Sequence, residues 1–198
     1  MKGTSIILSV TIAVFTLSSC DIITTDVKTD YVIMPLEVGN YWEYGIYEYS
    51  GSELNKIDSV WTISIISDTI INNHKWYVDH SKSILFTNKN NGLWAKHPFY
   101  PADLFLKYPG KVSDEWLRQI GPARHYENAY IISTDYPVVI NGITKRCYAY
   151  EIKYLGDLRR RYYAAPGLGI TKIQIFQSSE SDASILKQES RLQNYKLK

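Results

Sequence analysis

The chain has 198 residues, a formal net charge of +2 and a hydrophobic fraction of 45%. This nearly balanced charge excludes the basic field that attracts nucleic acid, so no nucleic-acid partner is predicted. Eleven Gly and seven Pro are too few for a disordered stalk and indicate one folded domain. The 17 Tyr and five Trp favour strands over helices. We interpret the tyrosines as half-buried sheet residues, with stacking on sugars or flat ligands as the alternative.

The first residues have the pattern of a secretory signal peptide. Lys2 supplies a positive charge, and Ile6 to Leu17 form an apolar run that ends in Leu17-Ser18-Ser19-Cys20. The run is shorter than the roughly 20 residues that span a bilayer. Its last four residues resemble the lipobox of bacterial lipoproteins. The resemblance implies cleavage before Cys20, a diacylglycerol on its sulfur and an acyl group such as palmitate on its new amine. The alternative is a buried apolar helix that ends in a cysteine.

This pattern divides the chain into a signal peptide (1–19), a lipid-anchored tether (20–34) and a single β-rich domain (35–198). The predicted location is the bacterial cell envelope, anchored to a membrane through Cys20. Asp21 resembles an inner-membrane retention signal of enteric bacteria, which other phyla do not obey, so inner and outer membrane both stay open. Cys147 is left without a disulfide partner, and we expect it to be a small buried hydrophobe.

The first half of the domain is predicted to be a run of antiparallel hairpins. Turn residues separate the expected strands, which lie at about 41–49, 60–67, 75–79, 83–87 and 93–96. In the second strand, strict alternation places Trp61, Ile63 and Ile65 on one face. The pair Asn72-Asn73 is a tight hairpin turn, because Asn tolerates positive φ.

The second half continues the pattern after an ambiguous stretch. Residues 98–109 fit a strand or a short helix, and 121–128 are predicted to be a loop. The strongest turn signal is Asn141-Gly142, which lies between β-branched flanks. A hairpin is expected over 138–151 around this turn, and further strands are expected at 130–134, 159–164, 170–177 and 185–195, the last as an edge or closing strand. About ten strands with at most minor α structure predict an all-β fold, a curled antiparallel sheet that is either a half-barrel or a barrel.

Two segments carry a second resemblance. Residues 35–44 (PLEVGNYWEY) and 161–172 (RYYAAPGLGITK) are similar to motifs of an uncharacterised family of secreted β-rich lipoproteins. Residues 139–148 stand where that family has a G-x-F-x-x-C hairpin, with Thr144 near the position of the Phe. The resemblance implies a β-rich architecture, related by analogy to the curled sheet of lipoprotein-localisation factors. In physical terms these motifs look structural, with Trp42 as a core anchor and Pro166-Gly167 as a turn.

No catalytic, metal or cofactor site is predicted. His74, His80, His97 and His125 are dispersed and fit no metal-binding spacing. Asp79 and His80 are neighbours on a strand, so their side chains are expected on opposite faces. The run 159–161 (RRR) could hold a phosphate, but alternation would divide it between faces, and we interpret it as a solvated edge.

Three functions remain after these exclusions. The first is a non-catalytic binding or interaction domain of an envelope lipoprotein, with an apolar or glycan ligand. The second is a carrier or chaperone of an apolar, lipid-like ligand, which requires a large apolar cavity. The third is a glycan-acting enzyme, which requires two carboxylates about 5 to 10 Å apart in a cleft. We expect no enzymatic activity, and the pattern leaves the oligomeric state open.

Overall fold

A computed structural model of the protein describes residues 32–120, 125–178 and 184–198. The predicted signal peptide, Cys20 and most of the tether lie outside these ranges. Every regular element in the described part of the chain is a β-strand. Within the same ranges, no helix is long and apolar enough to cross a membrane.

In the described ranges, twelve strands form one antiparallel sheet, against the roughly ten that the sequence suggested. The first six are β1 (Tyr41–Ser50), β2 (Glu53–Ile71), β3 (His74–Asp79), β4 (Leu85–Lys89), β5 (Gly92–Lys96) and β6 (Asp103–Lys107). The other six are β7 (Glu115–Ile120), β8 (His125–Ile140), β9 (Ile143–Tyr154), β10 (Asp157–Ala165), β11 (Gly169–Ser178) and β12 (Ser184–Lys196). The all-β prediction is confirmed, and the ambiguous stretch 98–109 contains a strand.

The sheet curls into a nearly closed barrel. Its strand order is β6-β5-β4-β3-β2-β1-β12-β11-β10-β9-β8-β7, so β6 and β7 are the two edges. The edges meet through side chains: the indole Nε1 of Trp116 donates to the carbonyl oxygen of Leu104 at 2.8 Å. A second contact joins Arg118 Nε to Asp103 Oδ2 at 3.4 Å. Of the two alternatives that the sequence left open, a half-barrel and a barrel, the structure therefore has the barrel.

The 19-residue strand β2 connects two parts of the sheet, a smaller part made of β3–β6 and a larger part made of β1 and β7–β12. Its first part pairs with β1 and its last part pairs with β3, with a register shift between Ile65 and Ser67. The predicted alternation is present: Ile63 and Ile65 are buried, whereas Ile66 is exposed. The one strand β2 thus joins β3–β6 to the rest of the sheet, and side chains of both parts line the same cavity.

Two motifs from opposite ends of the domain meet in the core. Trp42 is fully buried and its indole Nε1 donates to the carbonyl oxygen of Leu168 at 2.6 Å. Gly169 has φ +103°, and a Cβ there would lie 3.0 Å from Met34 Cγ. Ile33 and Met34 are buried in the same cluster, so packing begins two residues before the sequence boundary at 35.

Two local predictions need correction, at residues 125–128 and at the run 159–161. Residues 125–128, expected in a loop, form the start of β8, because the polar Glu127 is buried against arginines rather than solvated. Of the two alternatives for the last strand, the closing strand is confirmed, since β12 pairs with both β1 and β11. The run 159–161 lies in β10, an interior strand between β9 and β11, so it is not a solvated edge. The hairpin turns at Asn72-Asn73 and Asn141-Gly142 are confirmed, with positive φ at all four residues.

Candidate functional site

A cavity of about 600 Å³ occupies part of the barrel interior. Its wall is formed by β1, β2, β10, β11 and β12 on one side and by β4 to β7 on the other. Most lining side chains are apolar, and they include Ile46, Trp61, Ile63, Phe86, Phe105, Tyr162, Ile173 and Ile175. The large side chain of Trp61 lines the cavity while remaining 39% exposed, so apolar surface here is accessible from outside.

Side-chain size along the inner face explains why space remains. On β1, the inward residues Trp42 and Tyr44 fill the core, whereas the smaller Ile46 lines the cavity. Small residues also occupy inward positions on two other walls, Ala95 on β5 and Ser190 on β12. The barrel is therefore packed by aromatic rings in one region and left hollow in the next.

A cluster of four charged side chains lies at this cavity, and we call it the charged cluster: Asp103, Arg118, Glu127 and Arg160. Asp103, Arg118 and Arg160 line the cavity itself, and Glu127 lies behind them in an adjacent groove shared with Arg160. Glu127 pairs with both arginines, at 3.9 Å from Arg118 Nη1 and 3.6 Å from Arg160 Nη1. Burial raises the pKa of Asp103 above its ordinary value, although Arg118 acts in the opposite direction.

Arg118 is the most constrained member of the charged cluster. Its side chain is only 8% exposed, and its guanidinium lies over the ring of Phe105, 4.7 Å from the ring centroid. Two buried atoms of the cluster, Arg118 Nη1 and Glu127 Oε2, have no hydrogen-bond partner among the described residues. Buried polar groups are almost always hydrogen-bonded, so this pair has unused donor and acceptor capacity.

A second group of polar side chains lies on the face of the sheet that points away from the cavity, and its members contact one another: Glu189, Gln174, Lys172 and Tyr163. Glu189 follows and precedes cavity-lining residues on β12, so strand alternation points it away from the cavity. It accepts a hydrogen bond from Gln174 Nε2 at 2.7 Å, and Lys172 lies over the Tyr163 ring at 4.3 Å. Burial raises the pKa of Tyr163 to about 12 and lowers that of Lys172.

Most of the residues that the sequence singled out for possible chemistry lie away from the cavity, and His97 and Arg160 are the two that line it in the described part of the chain. Cys20 lies outside the described residues. Cys147 is fully buried as predicted, with Sγ 3.4 Å from Thr171 Oγ1, and burial raises its pKa, which makes it a poor nucleophile. Within the described ranges, His, Cys, Asp and Glu form no group of three or more that could hold a metal ion. Of the four histidines, His97 lines the cavity.

The expectation for Asp79 and His80 is wrong. His80 Nδ1 lies 3.1 Å from Asp79 Oδ1. The reason is that β3 ends at Asp79, so His80 belongs to a turn and strand alternation does not apply to it. Asp79 mainly organises this turn, where it accepts hydrogen bonds from Ser81.

The charged cluster as a whole was not predicted from the sequence, although one member, Arg160, belongs to the run 159–161 that was considered as a phosphate site. One signal was present, since Arg118 shares a strand face with the aromatic Trp116 two residues earlier, which places a charge at an inward position. Its partners come from β6, β8 and β10, and only the tertiary register of the barrel brings them together.

The fold and the cavity define the protein as a curled antiparallel barrel whose interior is packed in one region and encloses a largely apolar cavity in another. Neither the protein-family models nor the curated proteins contain a match to the chain. Among solved structures, it is similar to a "putative lipoprotein" from Parabacteroides distasonis, with 12% identity and a TM-score of 0.43. The likeness covers 84% of this chain and 99% of that one. At these values it is a distant resemblance in shape.

Proposed function

We propose that this chain is a non-catalytic, lipid-anchored envelope protein whose barrel binds an apolar, lipid-like ligand in its interior. The observation that carries the proposal is the cavity of about 600 Å³. Small-molecule sites typically enclose about 300–1,000 Å³ and are lined mainly by apolar side chains, with a few placed polar groups. The cavity meets both conditions.

The apolar lining supports a hydrocarbon ligand. Burial of apolar surface stabilises by about 25 cal/mol per Å², so a hydrocarbon chain that covers Trp61, Ile173 and Ile175 gains free energy along its whole length. A barrel filled throughout by aromatic rings would have favoured the plain interaction domain. Here the aromatic filling around Trp42 and Tyr44 stops short of the cavity, which favours the carrier function that the sequence left as an alternative.

The polar lining favours binding over glycan hydrolysis. Among the described residues, Asp103 is the one carboxylate that lines the cavity, and it is paired with Arg118. Glycoside hydrolysis ordinarily uses two carboxylates about 5 to 10 Å apart that flank the substrate. The described lining offers no such pair, so binding without catalysis is the simpler proposal.

The membrane anchor rests on the lipobox resemblance at Cys20. Cys20→Ala is expected to release the protein from membranes and to abolish labelling with radioactive palmitate. Cys147→Ala is the matched control, because it removes a buried thiol and leaves the lipobox intact. Retention of the Cys20→Ala protein in membranes without an acyl group would contradict the anchor.

Native mass spectrometry of the purified chain tests the ligand. We expect a co-purifying lipid-like molecule, and we expect Ala95→Trp to lose it because the indole would occupy the cavity. Val139→Trp is the control, since Val139 is 67% exposed and does not line the cavity. A chain that carries no ligand and takes up none of a series of added lipids would refute the proposal.

A further inference from the structure

The positive and negative charges of the charged cluster cancel. Arg118 and Arg160 contribute two positive charges, and Asp103 and Glu127 contribute two negative charges. His97 and Tyr100 are the other titratable side chains of the lining near Asp103, and His97 is exposed to solvent, which screens its influence. The cavity therefore meets its ligand with a region that is strongly polar and has no net charge.

Because the charged cluster is buried, its charge balance affects which ligands can bind beside it. The side chains of Arg118 and Glu127 are 8% and 4% exposed, so the two ions are held in a poorly solvated place. A charge added there without a partner is strongly disfavoured, because neither water nor a free counterion compensates it. An uncharged head group leaves the balance intact, whereas a carboxylate or an ammonium group disturbs it in opposite directions.

The same residues can satisfy hydroxyl groups. A hydroxyl both donates and accepts a hydrogen bond, whereas a carboxylate only accepts and an ammonium only donates. Asp103 offers an acceptor at the cavity wall, and Arg118 and Arg160 offer donors there. Arg118 Nη1, which is buried 3.9 Å from Glu127, has no hydrogen-bond partner among the described residues. Arg160 is 43% exposed, and its ion pair in the described part of the chain is the 3.6 Å contact with Glu127, so its guanidinium keeps donors for a ligand. Donors and acceptors thus stand side by side, as a polyhydroxyl head group needs.

The apolar wall begins beside this polar group. The guanidinium of Arg118 lies over the ring of Phe105, and the centroid of that ring lies 5.2 Å from the centroid of the Tyr162 ring. Ile173 is the cross-strand partner of Tyr162, and the lining includes the other isoleucines of β11. A ligand that follows this order has a polar head and a hydrocarbon tail.

We propose that the balanced charged cluster makes the cavity selective for single-chain lipids with an uncharged, hydroxyl-bearing head group, of the monoacylglycerol type, over fatty acids and alkylamines. This inference rests on the proposed function, since it needs a hydrocarbon chain in the cavity.

The test compares three ligands with the same chain length, monopalmitoylglycerol, palmitate and palmitylamine, added in turn to the purified chain and followed by native mass spectrometry. We expect monopalmitoylglycerol to bind about tenfold or more tightly than either charged ligand, which corresponds to about 1.4 kcal/mol of discrimination. Equal binding of all three, or tightest binding of palmitate or palmitylamine, would overturn the inference and leave the proposed function standing. Binding of none of the three would overturn both.

Charge variants make the test independent of the shape of the head group. Glu127→Gln leaves one unbalanced positive charge behind the cavity wall, so palmitate should gain about tenfold relative to palmitylamine. Arg160→Gln leaves one unbalanced negative charge and should reverse this preference. Arg160 is 43% exposed, so its variant is expected to fold even if the buried Glu127→Gln variant does not.

Arg146→Gln is the matched control, because it removes the same charge from an exposed ion pair with Asp135 outside the cavity lining. It should leave all three affinities unchanged. If neither Glu127→Gln nor Arg160→Gln shifts the preference in a folded protein, the charged cluster does not select the head group and the inference is wrong.

Discussion

The cavity leads to a quantitative prediction about the stability of two alanine variants. Ala95 lines the cavity, whereas Ala129 is fully buried in the packed core and does not line it. Replacing each with Phe adds the same ring to two different environments. The ring enters open space at Ala95, and it must displace packed neighbours such as Ile152, the cross-strand partner of Ala129.

The two substitutions are expected to change the free energy of unfolding differently. A Phe ring at position 95 can bury roughly 100 Å² of additional apolar surface, somewhat below the range for whole aromatic side chains. At about 25 cal/mol per Å² this is worth up to about 2.5 kcal/mol, from which the ordering of the side chain subtracts about 1 kcal/mol. Ala95→Phe should therefore be neutral or slightly stabilising. Ala129→Phe should cost about 1–3 kcal/mol or more, because overpacking forces strained rotamers and backbone shifts.

Urea denaturation followed by tryptophan fluorescence measures both variants. With a slope of about 2 kcal/mol per M, the two midpoints should differ by roughly 1 M, and the slopes should match that of the unchanged protein. If Ala95→Phe loses as much stability as Ala129→Phe, the space around Ala95 is filled in solution and the cavity argument fails.

Three further predictions concern the fold around the cavity. Tyr44→Phe removes a buried hydroxyl that donates at 2.9 Å to a carbonyl of β11 and should lower the free energy of unfolding by about 1–2 kcal/mol; no loss in urea denaturation would contradict the hydrogen bond. Gly169→Ala should lose at least about 1 kcal/mol more than Gly142→Ala, because both have positive φ but only Gly169 has atoms within 4 Å of the new Cβ, and equal losses would argue against the close approach. Burial works against ionisation of Asp79, but hydrogen bonds from Ser81 and the backbone hold its pKa below the ordinary value. Its carboxylate therefore contributes stability above a pH of about 4, and this contribution is lost as the pH falls through the lower pKa of the folded state, so thermal melts of Asp79→Asn should show a weaker acid dependence than the unchanged protein.

Local patterns in the sequence predicted the strands and turns well, because they depend on neighbouring residues. The face of β2 that carries Ile63 and Ile65 followed from alternation alone, and the turn at Asn141-Gly142 followed from the tolerance of these residues for positive φ. Trp42 and Cys147 were placed in the core for the same local reasons, and both are fully buried.

Local sequence patterns could not predict how side chains are arranged inside the barrel. Glu127 lies in a stretch without hydrophobic alternation and was assigned to a loop, yet it is buried because two arginines from β7 and β10 pair with it. The closure between β6 and β7 depends on Trp116 and Arg118 reaching across two edges that no strand pairing joins. The cavity arises from the sizes of Ile46, Ala95 and Ser190 on separate strands, and only their common register shows that they face the same space.

Quenching of Trp61 by a brominated lipid tests the central claim most directly. Trp61 lines the cavity, so monoacylglycerol with bromine atoms on its acyl chain should quench its fluorescence in a saturable way, and Trp61→Phe should remove most of the quenching. Four tryptophans remain as emitters in that variant and serve as the internal reference, since none of them is among the described lining residues: Trp42, Trp76, Trp94 and Trp116. Saturable quenching that disappears with Trp61 is the result expected for a hydrocarbon chain inside the barrel. Absence of quenching, or quenching that persists unchanged in Trp61→Phe, would contradict the account.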